Sequence, residues 1–232
     1  MKSLPFSLAY RAVMISVLLL ITASLLYAKK GSELNEQQIV AALVSNYGER
    51  AGKRGKAWFR VMGKSYALDE FEQLKNVNNF FNLLRFTDDI KLWGVSNYWA
   101  TPIEFLGVNA GDCEDFAIAK YFTLLELGIP DKKMRITMVK AVKLNQYHMV
   151  VAYYETPGSI PLILDNIDGR IKPATQRPDL IPVYSFNGKQ LWLNKQKGQD
   201  VLAGKSERLK RWTNLNQRMG ISNLKQPKSR ME

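Results

Sequence analysis

The 232-residue sequence has one cysteine and one histidine, Cys113 and His148. A disulfide within the chain is therefore excluded. So is a structural zinc site, which takes about four Cys/His ligands. Internal repeats and low-complexity blocks are also lacking, which sets aside solenoids and disordered scaffolds. Acids are scarce relative to bases, 21 against 33, for a net charge of +12. Such a balance points first to nucleic acid or an anionic surface. Yet no zinc-finger spacing and no aromatic nucleic-acid signature accompanies it. From Lys189 onward there are eleven Lys/Arg against three acids, and "SERLKRWTNLNQRM" (Ser206–Met219) has helical spacing of Leu209, Trp212, Leu215 and Met219. A solvated basic face on a docking helix accounts for the excess, and no nucleic-acid partner is expected. Residues 221–232 read as a basic, flexible tail.

The N-terminus holds a long apolar run. "MKSLPFSLAYR" carries Lys2 and Arg11 and no acid, and the seventeen residues "AVMISVLLLITASLLYA" follow. That order is a secretory signal peptide over residues 1–28. Leu26 occupies the −3 position before Ala28, where a small residue belongs, so an uncleaved signal anchor stays open. Either reading puts the rest of the chain outside the cytoplasm. No cysteine closes the run, which excludes a lipoprotein. Exported proteins commonly pair their cysteines, so a single thiol points to a chemical task or an intermolecular bridge.

Along the exported part, helical periodicity comes first. "NEQQIVAALVSNY" predicts a helix over residues 35–47, and "ALDEFEQLKNVNNFFNLLRF" another over 67–86. "GKAWFRVMGKSY" between them reads as a linker or short extended piece. "DDIKLWGVSNYWATPIEFLGVNAG" reads as an ordered loop with one short helical turn, a length at which loops are often functional. "CEDFAIAKYFTLLEL" then predicts a helix from Cys113 to Leu127, stopped by Gly128. It is apolar nearly all round and so belongs in the core. Asp112 falls at its N-cap, which places the thiol at the N-terminus of a buried helix. From Met134 the period changes. "MRITMVKAV", "HMVVAYYE" and "IPLILDNI" predict an antiparallel meander, with further short strands near "IPVYSF" and "KQLWL". Helices followed by strands indicate an α+β fold, with helices packed on one side of an antiparallel sheet. One domain is expected over residues 29–220.

The hairpin closed by "ETPGS", centred near Thr156–Pro157, pairs residues whose numbers sum to 313, among them His148 and Asp165. Cross-strand partners have Cβ atoms roughly 4.5–5.5 Å apart, and a one-residue slip would put the two on opposite faces. Each residue alone has a plain structural explanation. A lone cysteine is a small buried hydrophobe, a strand-start histidine a hydrogen-bonding residue, and Asp165 a strand end. Taken together, an exported free thiol at a helix start and a His/Asp pair point to a Cys–His–Asp triad. Its chain order suits nucleophilic thiol chemistry on a papain-like layout.

Three blocks, "FFNLLRF…YWATPIEFLGVNAGDCEDFAIAKYFTLLELGIP", "LNQYHMVVAYYETPGSIPLILDNI" and "RPDLIPVYSFNGKQLWL", closely resemble the bacterial transglutaminase-like cysteine proteinases. The likeness runs from about Leu34 to Met219. It implies a papain/transglutaminase-like fold in which the buried Cys113 helix packs on the sheet carrying His148 and Asp165. Cys113 is then the nucleophile, His148 the general base and later acid, and Asp165 its orienter. The resemblance also implies dependence on Ca²⁺ held by Asp112 and Glu114, with Asp115 a further member. It implies a periplasmic location and a large surface adhesin as substrate, cut near its N-terminus to release it and disperse biofilm. The implied regulator is an inner-membrane cyclic di-GMP receptor. Three carboxylates beside a nucleophile oppose its thiolate, and a cation bound by oxygen ligands would offset them. The Cys113 backbone N–H is an expected oxyanion donor, and Trp99 is the guess for the second. Two alternatives remain: an acyl transferase of transglutaminase type, and a non-catalytic envelope binding protein with the same fold.

Overall fold

The structure is a computed structural model that describes residues 36–194 and 200–229. The expected export segment lies outside them. Helix α1 (36–47) ends at Gly48, whose φ of 93° is a left-handed stop, and α2 (Glu49–Ser65) sets off at once. The piece predicted as a linker is thus part of a 17-residue helix. Its glycines misled the sequence reading, because glycine lowers helix propensity. Here they allow close packing instead. A Cβ on Gly55 would lie 2.5 Å from Leu43 of α1, and one on Gly52 would overlap Val44. The two helices approach through that gap.

Helix α3 (Glu70–Phe81) starts at Asp69, whose side chain accepts the Glu72 N–H at 3.0 Å, and buries Leu74, Val77 and Phe81. It stops at Asn82, short of the predicted end. Arg85–Phe86 instead forms β1, which pairs in parallel with β2 (Ala110–Gly111). The predicted loop between them holds two helices, α4 (Asp89–Leu92) and α5 (Pro102–Val108). The second has a complete capping box: Thr101 Oγ1 accepts from Glu104 N–H, and Glu104 Oε2 from Thr101 N–H. Pro102 takes the first helical position, where its missing N–H costs nothing. Helix α6 (Cys113–Glu126) follows, with Leu127 as C-cap and Gly128 at φ 92°.

Seven strands make one antiparallel sheet: β3 (Met134–Ala141), β4 (Gln146–Tyr153), β5 (Leu162–Leu164), β6 (Lys172–Pro173), β7 (Leu180–Phe186), β8 (Gln190–Asn194) and β9 (Asp200–Lys205). Their order is β6-β5-β4-β3-β7-β8-β9. Ile136, Met149, Val151, Leu164 and Phe186 join the main core with the helices, while Val139, Val150, Ala152 and Ile163 form a smaller cluster. Helix α6 packs on β4 and β3 from one side and on α3 and α5 from the other. That explains its apolar circumference. The expected α+β architecture is what the structure shows.

Helix α7 (Lys210–Gln217) buries Trp212 and Leu215, with Trp212 against Phe122 and Phe186. The segment read as a flexible tail is tied down as far as residue 229. Lys225 N–H donates to Glu104 Oε1 (3.0 Å), Tyr47 Oη to Lys225 O (2.8 Å), and Lys228 N–H to Leu92 O (2.6 Å). Glu104 is fully buried, and a buried carboxylate requires donors. Arg218 Nη1 (2.9 Å) and the tail backbone supply them. Tertiary demand for hydrogen bonds orders a segment whose composition reads as disordered.

Candidate active site

The thiol sits where α6 begins, and Gly111 shapes that start. A Cβ on Gly111 would lie 2.9 Å from the Phe105 ring and overlap the Asp115 side chain. Without one, Asp115 folds back along its own backbone: Oδ2 accepts from Asp112 N–H (3.3 Å) and Oδ1 from Ala100 N–H (2.8 Å). Asp89, from α4, accepts the Tyr98 N–H at 2.5 Å. One oxygen each from Asp89, Asp112 and Asp115 lie within 4.8 Å of one another, and so do single ligand atoms of Asp112, Cys113 and Glu114.

The acids expected around the nucleophile thus fall into two groups that share Asp112, Glu114 with the thiol and Asp115 with Asp89. Sequence reasoning missed Asp89 because its segment read as loop and nothing linked it to the distant Cys113. These carboxyls disturb one another. Burial, then repulsion from Asp115 and Glu114, pushes Asp112 up to about 11. Burial raises Asp89 to about 7 against the pull of the Tyr98 N–H, and burial with Asp89 and Glu114 nearby raises Asp115 well above the usual range. Oδ1 of Asp112 and Oδ1 of Asp89 are buried without a hydrogen-bond partner among the described residues. Buried polar atoms normally have partners. Oxygen ligands from four carboxyls, two of their oxygens orphaned and the charges in mutual repulsion, fit a hard cation.

The thiol itself donates to Glu114 Oε2 at 3.2 Å. Burial, then the charges of Glu114 and Asp112, push it far above its ordinary value, while the Met149 backbone N–H beside the sulfur works the other way. The Cys113 backbone N–H, first in α6, makes no hydrogen bond among the described residues.

His148 lies on β4 next to Met149 and is 3% exposed. Its Nε2 is 2.7 Å from Asp165 Oδ1. An ionised carboxylate only accepts, so Nε2 carries the proton and Nδ1 is left free. The register differs from the sequence expectation. Val151 pairs with Leu164 and Ala152 with Ile163, so the numbers sum to 315, not 313. Asp165, one residue past the ladder, lies across from Val150. The turn is centred one residue later than expected, at Pro157–Gly158, with Gly158 at φ 82°. Moving the centre by one shifts partners by two, which preserves the face. His148 therefore reaches Asp165 along the diagonal.

Two further charged residues escaped the sequence reading. Arg177, 4% exposed, donates from Nη2 to Asp165 Oδ2 (2.8 Å) and is held by Asp179. Burial pushes Asp165 up, but the hydrogen bond and charge of His148, the Ile167 N–H and Arg177 override it and hold the carboxyl well below its usual range. Lys120, two turns along α6 from Cys113, is also buried. Burial lowers its ammonium to about 7 against the attraction of Asp165. The only local signal for Arg177 was "RPD", an arginine two residues before an aspartate. Trp99 is buried and stacked on Phe186, 5.7 Å between ring centres, and its carbonyl accepts from Arg218 Nη2 (2.6 Å). The structure thus joins His148 to Asp165 and sets the thiol beside Met149. Among the described residues no hydrogen bond links Cys113 to His148.

Residues 60–200 match a family described as the bacterial transglutaminase-like cysteine proteinase BTLCP. Among solved structures, EGTA-treated LapG of Legionella pneumophila is 42% identical, over 80% of this chain and 98% of its own, with a TM-score of 0.71. The calcium-bound form of the same protein is 42% identical, over 78% of this chain and 97% of its own, with a TM-score of 0.67. No curated protein sequence matches the chain.

Proposed function

The chain belongs to the bacterial transglutaminase-like cysteine proteinase family and is a cysteine peptidase; from that premise we propose a calcium-dependent periplasmic endopeptidase with Cys113, His148 and Asp165 as its triad. The observation that carries the triad is the 2.7 Å contact of His148 Nε2 with Asp165, on the strand whose next residue, Met149, has its backbone N–H on the side of the sulfur. With Nε2 committed, Nδ1 is the nitrogen that takes the thiol proton. Cys113 Sγ then attacks the peptide carbonyl carbon, and the Cys113 backbone N–H donates to the developing oxyanion. His148 returns the proton to the leaving nitrogen as the C–N bond breaks, leaving a thioester. His148 next draws a proton from water, which hydrolyses the thioester and restores the thiol. Asp165 holds the imidazole in the tautomer this sequence needs and stabilises its charged form.

Asp112, Glu114, Asp115 and Asp89 are the residues that would hold the metal, as their orphaned oxygens and mutual repulsion support. Bound Ca²⁺ would supply positive charge at the helix start, offsetting the carboxylates that oppose a thiolate. Its occurrence in a relative that covers 78% of this chain supports the assignment. The substrate is a large surface adhesin, cut in its N-terminal region to release it and disperse biofilm, and the regulator is an inner-membrane receptor for cyclic di-GMP. Export through residues 1–28 places the reaction in the periplasm. Substrate, regulator and periplasm rest on the family resemblance, and export on the basic start and apolar run of residues 1–28.

The test incubates the purified mature domain with the N-terminal region of a candidate adhesin, with and without a calcium chelator, beside Cys113→Ala. Cleavage is expected only from the wild type in calcium. Cleavage that survives the substitution sinks the nucleophile, and cleavage that survives chelation sinks the metal. Iodoacetamide labelling of Cys113 should also slow in chelator; unchanged labelling would leave the metal without a role in thiol reactivity.

A further inference from the structure

We propose that Arg177 is a positioning residue of this site: its guanidinium holds Asp165 ionised and turned so that Oδ1 alone serves His148. The inference rests, for its catalytic consequence, on the triad reading above. Arg177 lies between a short 3-10 turn (Ala174–Gln176) and β7, and its side chain is 4% exposed. A buried guanidinium is retained only when paired. Here Nη2 donates to Asp165 Oδ2 (2.8 Å) and to Asp179 Oδ2 (2.9 Å), and Nε to Asp179 Oδ1 (3.0 Å).

The two oxygens of Asp165 are thereby divided. Oδ2 belongs to Arg177, while Oδ1 accepts from His148 Nε2 (2.7 Å) and from Ile167 N–H (3.0 Å). Asp179 anchors the fork from its far side, and its own carbonyl accepts the Val142 N–H at 2.8 Å, joining it to the end of β3. The guanidinium, gripped through two nitrogens by Asp179, thus fixes the point at which Oδ2 of Asp165 is held. A lysine would give charge without the fork that Asp179 grips.

The charged groups facing Asp165 come from three elements. His148 reaches it from β4, Lys120 from α6 and Arg177 from the segment before β7, while Asn82, at the end of α3, donates to its carbonyl. The guanidinium of Arg177 is a permanent cation. It also lines two surface depressions, one with Lys143 and Arg170, the other with Thr137 and Ala174. A truncated side chain would therefore leave a space that a small guanidinium can enter from solvent.

The experiment compares wild type, Arg177→Ala, Arg177→Lys and Asp179→Asn, in calcium, by two readouts. The first is cleavage kinetics against pH on an adhesin N-terminal fragment. The second is the imidazole NMR signal from ¹⁵N-histidine labelling, which has a single source because His148 is the only histidine. Arg177→Ala should lower kcat about 10–100-fold, the range for hydrogen-bonding partners one step removed from the chemistry. KM should stay within about twofold, the pattern of a residue that acts through Asp165 rather than on the substrate. The acid limb of the profile should move to higher pH, because Asp165 without this cation protonates more easily. The Nε2–H signal should exchange faster with solvent, and methylguanidinium should restore both readouts in Arg177→Ala but neither in Asp165→Asn. Arg177→Lys should recover only part of the rate, and Asp179→Asn should shift both readouts less, in the same direction.

If Arg177→Ala fails to fold, Arg177→Lys and Asp179→Asn decide. Unchanged rate, profile and Nε2–H exchange in both would overturn the proposal. So would a rate loss with an unmoved acid limb and no rescue, which marks a merely structural residue. A wild type that cleaves nothing, yet loses its slow Nε2–H exchange on Arg177→Ala, overturns the peptidase reading and leaves the positioning of Asp165 standing.

Discussion

Asp115 and Asp165 are both buried carboxyls, 0% and 1% exposed, in the same site. Their surroundings differ in sign. Asp115, in the first turn of α6, accepts two backbone N–H groups but sits among Asp89, Glu114 and Asp112. Asp165, at the end of β5, accepts from one N–H and lies between His148 and the guanidinium of Arg177. Burial pushes both carboxyls up, and only Asp165 has nearby positive charge to reverse it. Desolvation is thus common to the two regions, and the partners decide the outcome. The sheet side carries its own counter-charge. The helix side is built to take one from outside.

The largest test of this contrast replaces the compensated carboxylate. Asp165→Asn keeps the shape but not the charge, and kcat should fall on the order of 10³–10⁴-fold, as when a triad carboxylate is neutralised. A loss below tenfold would mean that Asp165 only ends a strand. On the opposite side, Glu114→Gln or Asp112→Asn should abolish the rise in Tm that calcium produces in the wild type, read by differential scanning fluorimetry. Each would remove a ligand of the proposed metal site, yet each also relieves crowding of the acids in the metal-free protein. Their Tm in chelator should therefore equal or exceed that of wild type; a lower value would show the acids to be individually stabilising.

Gly111→Ala sharpens the geometry of the helix side. The added methyl would meet the Asp115 side chain and Phe105, and overpacking of this kind costs about 1–3 kcal/mol. Urea denaturation should show that loss together with weaker calcium binding. Unaltered stability would mean that Asp115 does not need its folded-back position. The smallest effect is in the pH dependence of stability. Asp89 is raised to about 7 in the folded chain, against about 4 unfolded. Its stability contribution is thus complete below about pH 4 and is lost as pH rises through 7. In chelator, Tm should fall between pH 5 and 8, and calcium should flatten the fall. Asp165 acts with the opposite sign: its contribution is present above about pH 4 and lost only as strong acid protonates it.

Much of the helix side was legible because its signals are local. Asp112 before an apolar run and Gly128 after it bound α6 to within one residue. The change of period at Met134 marked the sheet. What escaped depended on a neighbour distant in sequence. Gly52 and Gly55 read as helix breakers because nothing in α2 reveals that Val44 and Leu43 stand opposite. The hairpin register came out two residues off because turn geometry, not the strand pattern, sets the centre. Parity alone kept His148 and Asp165 on one face. Asp89 and Arg177 have no local mark at all, since each acts through a carboxyl that the fold brings to it.

By itself the sequence determined that a lone thiol begins a buried helix amid acids, and that one histidine and one aspartate share a strand face. Both follow from periodicity and capping, which span only a few residues. Only the tertiary structure decided which carboxyls are compensated. Whether Asp165 meets a guanidinium, or Asp112 meets Asp89, depends on chain segments tens of residues apart closing to hydrogen-bond distance. Charge interaction at such short range in a desolvated site is strong enough to send equally buried carboxyls in opposite directions.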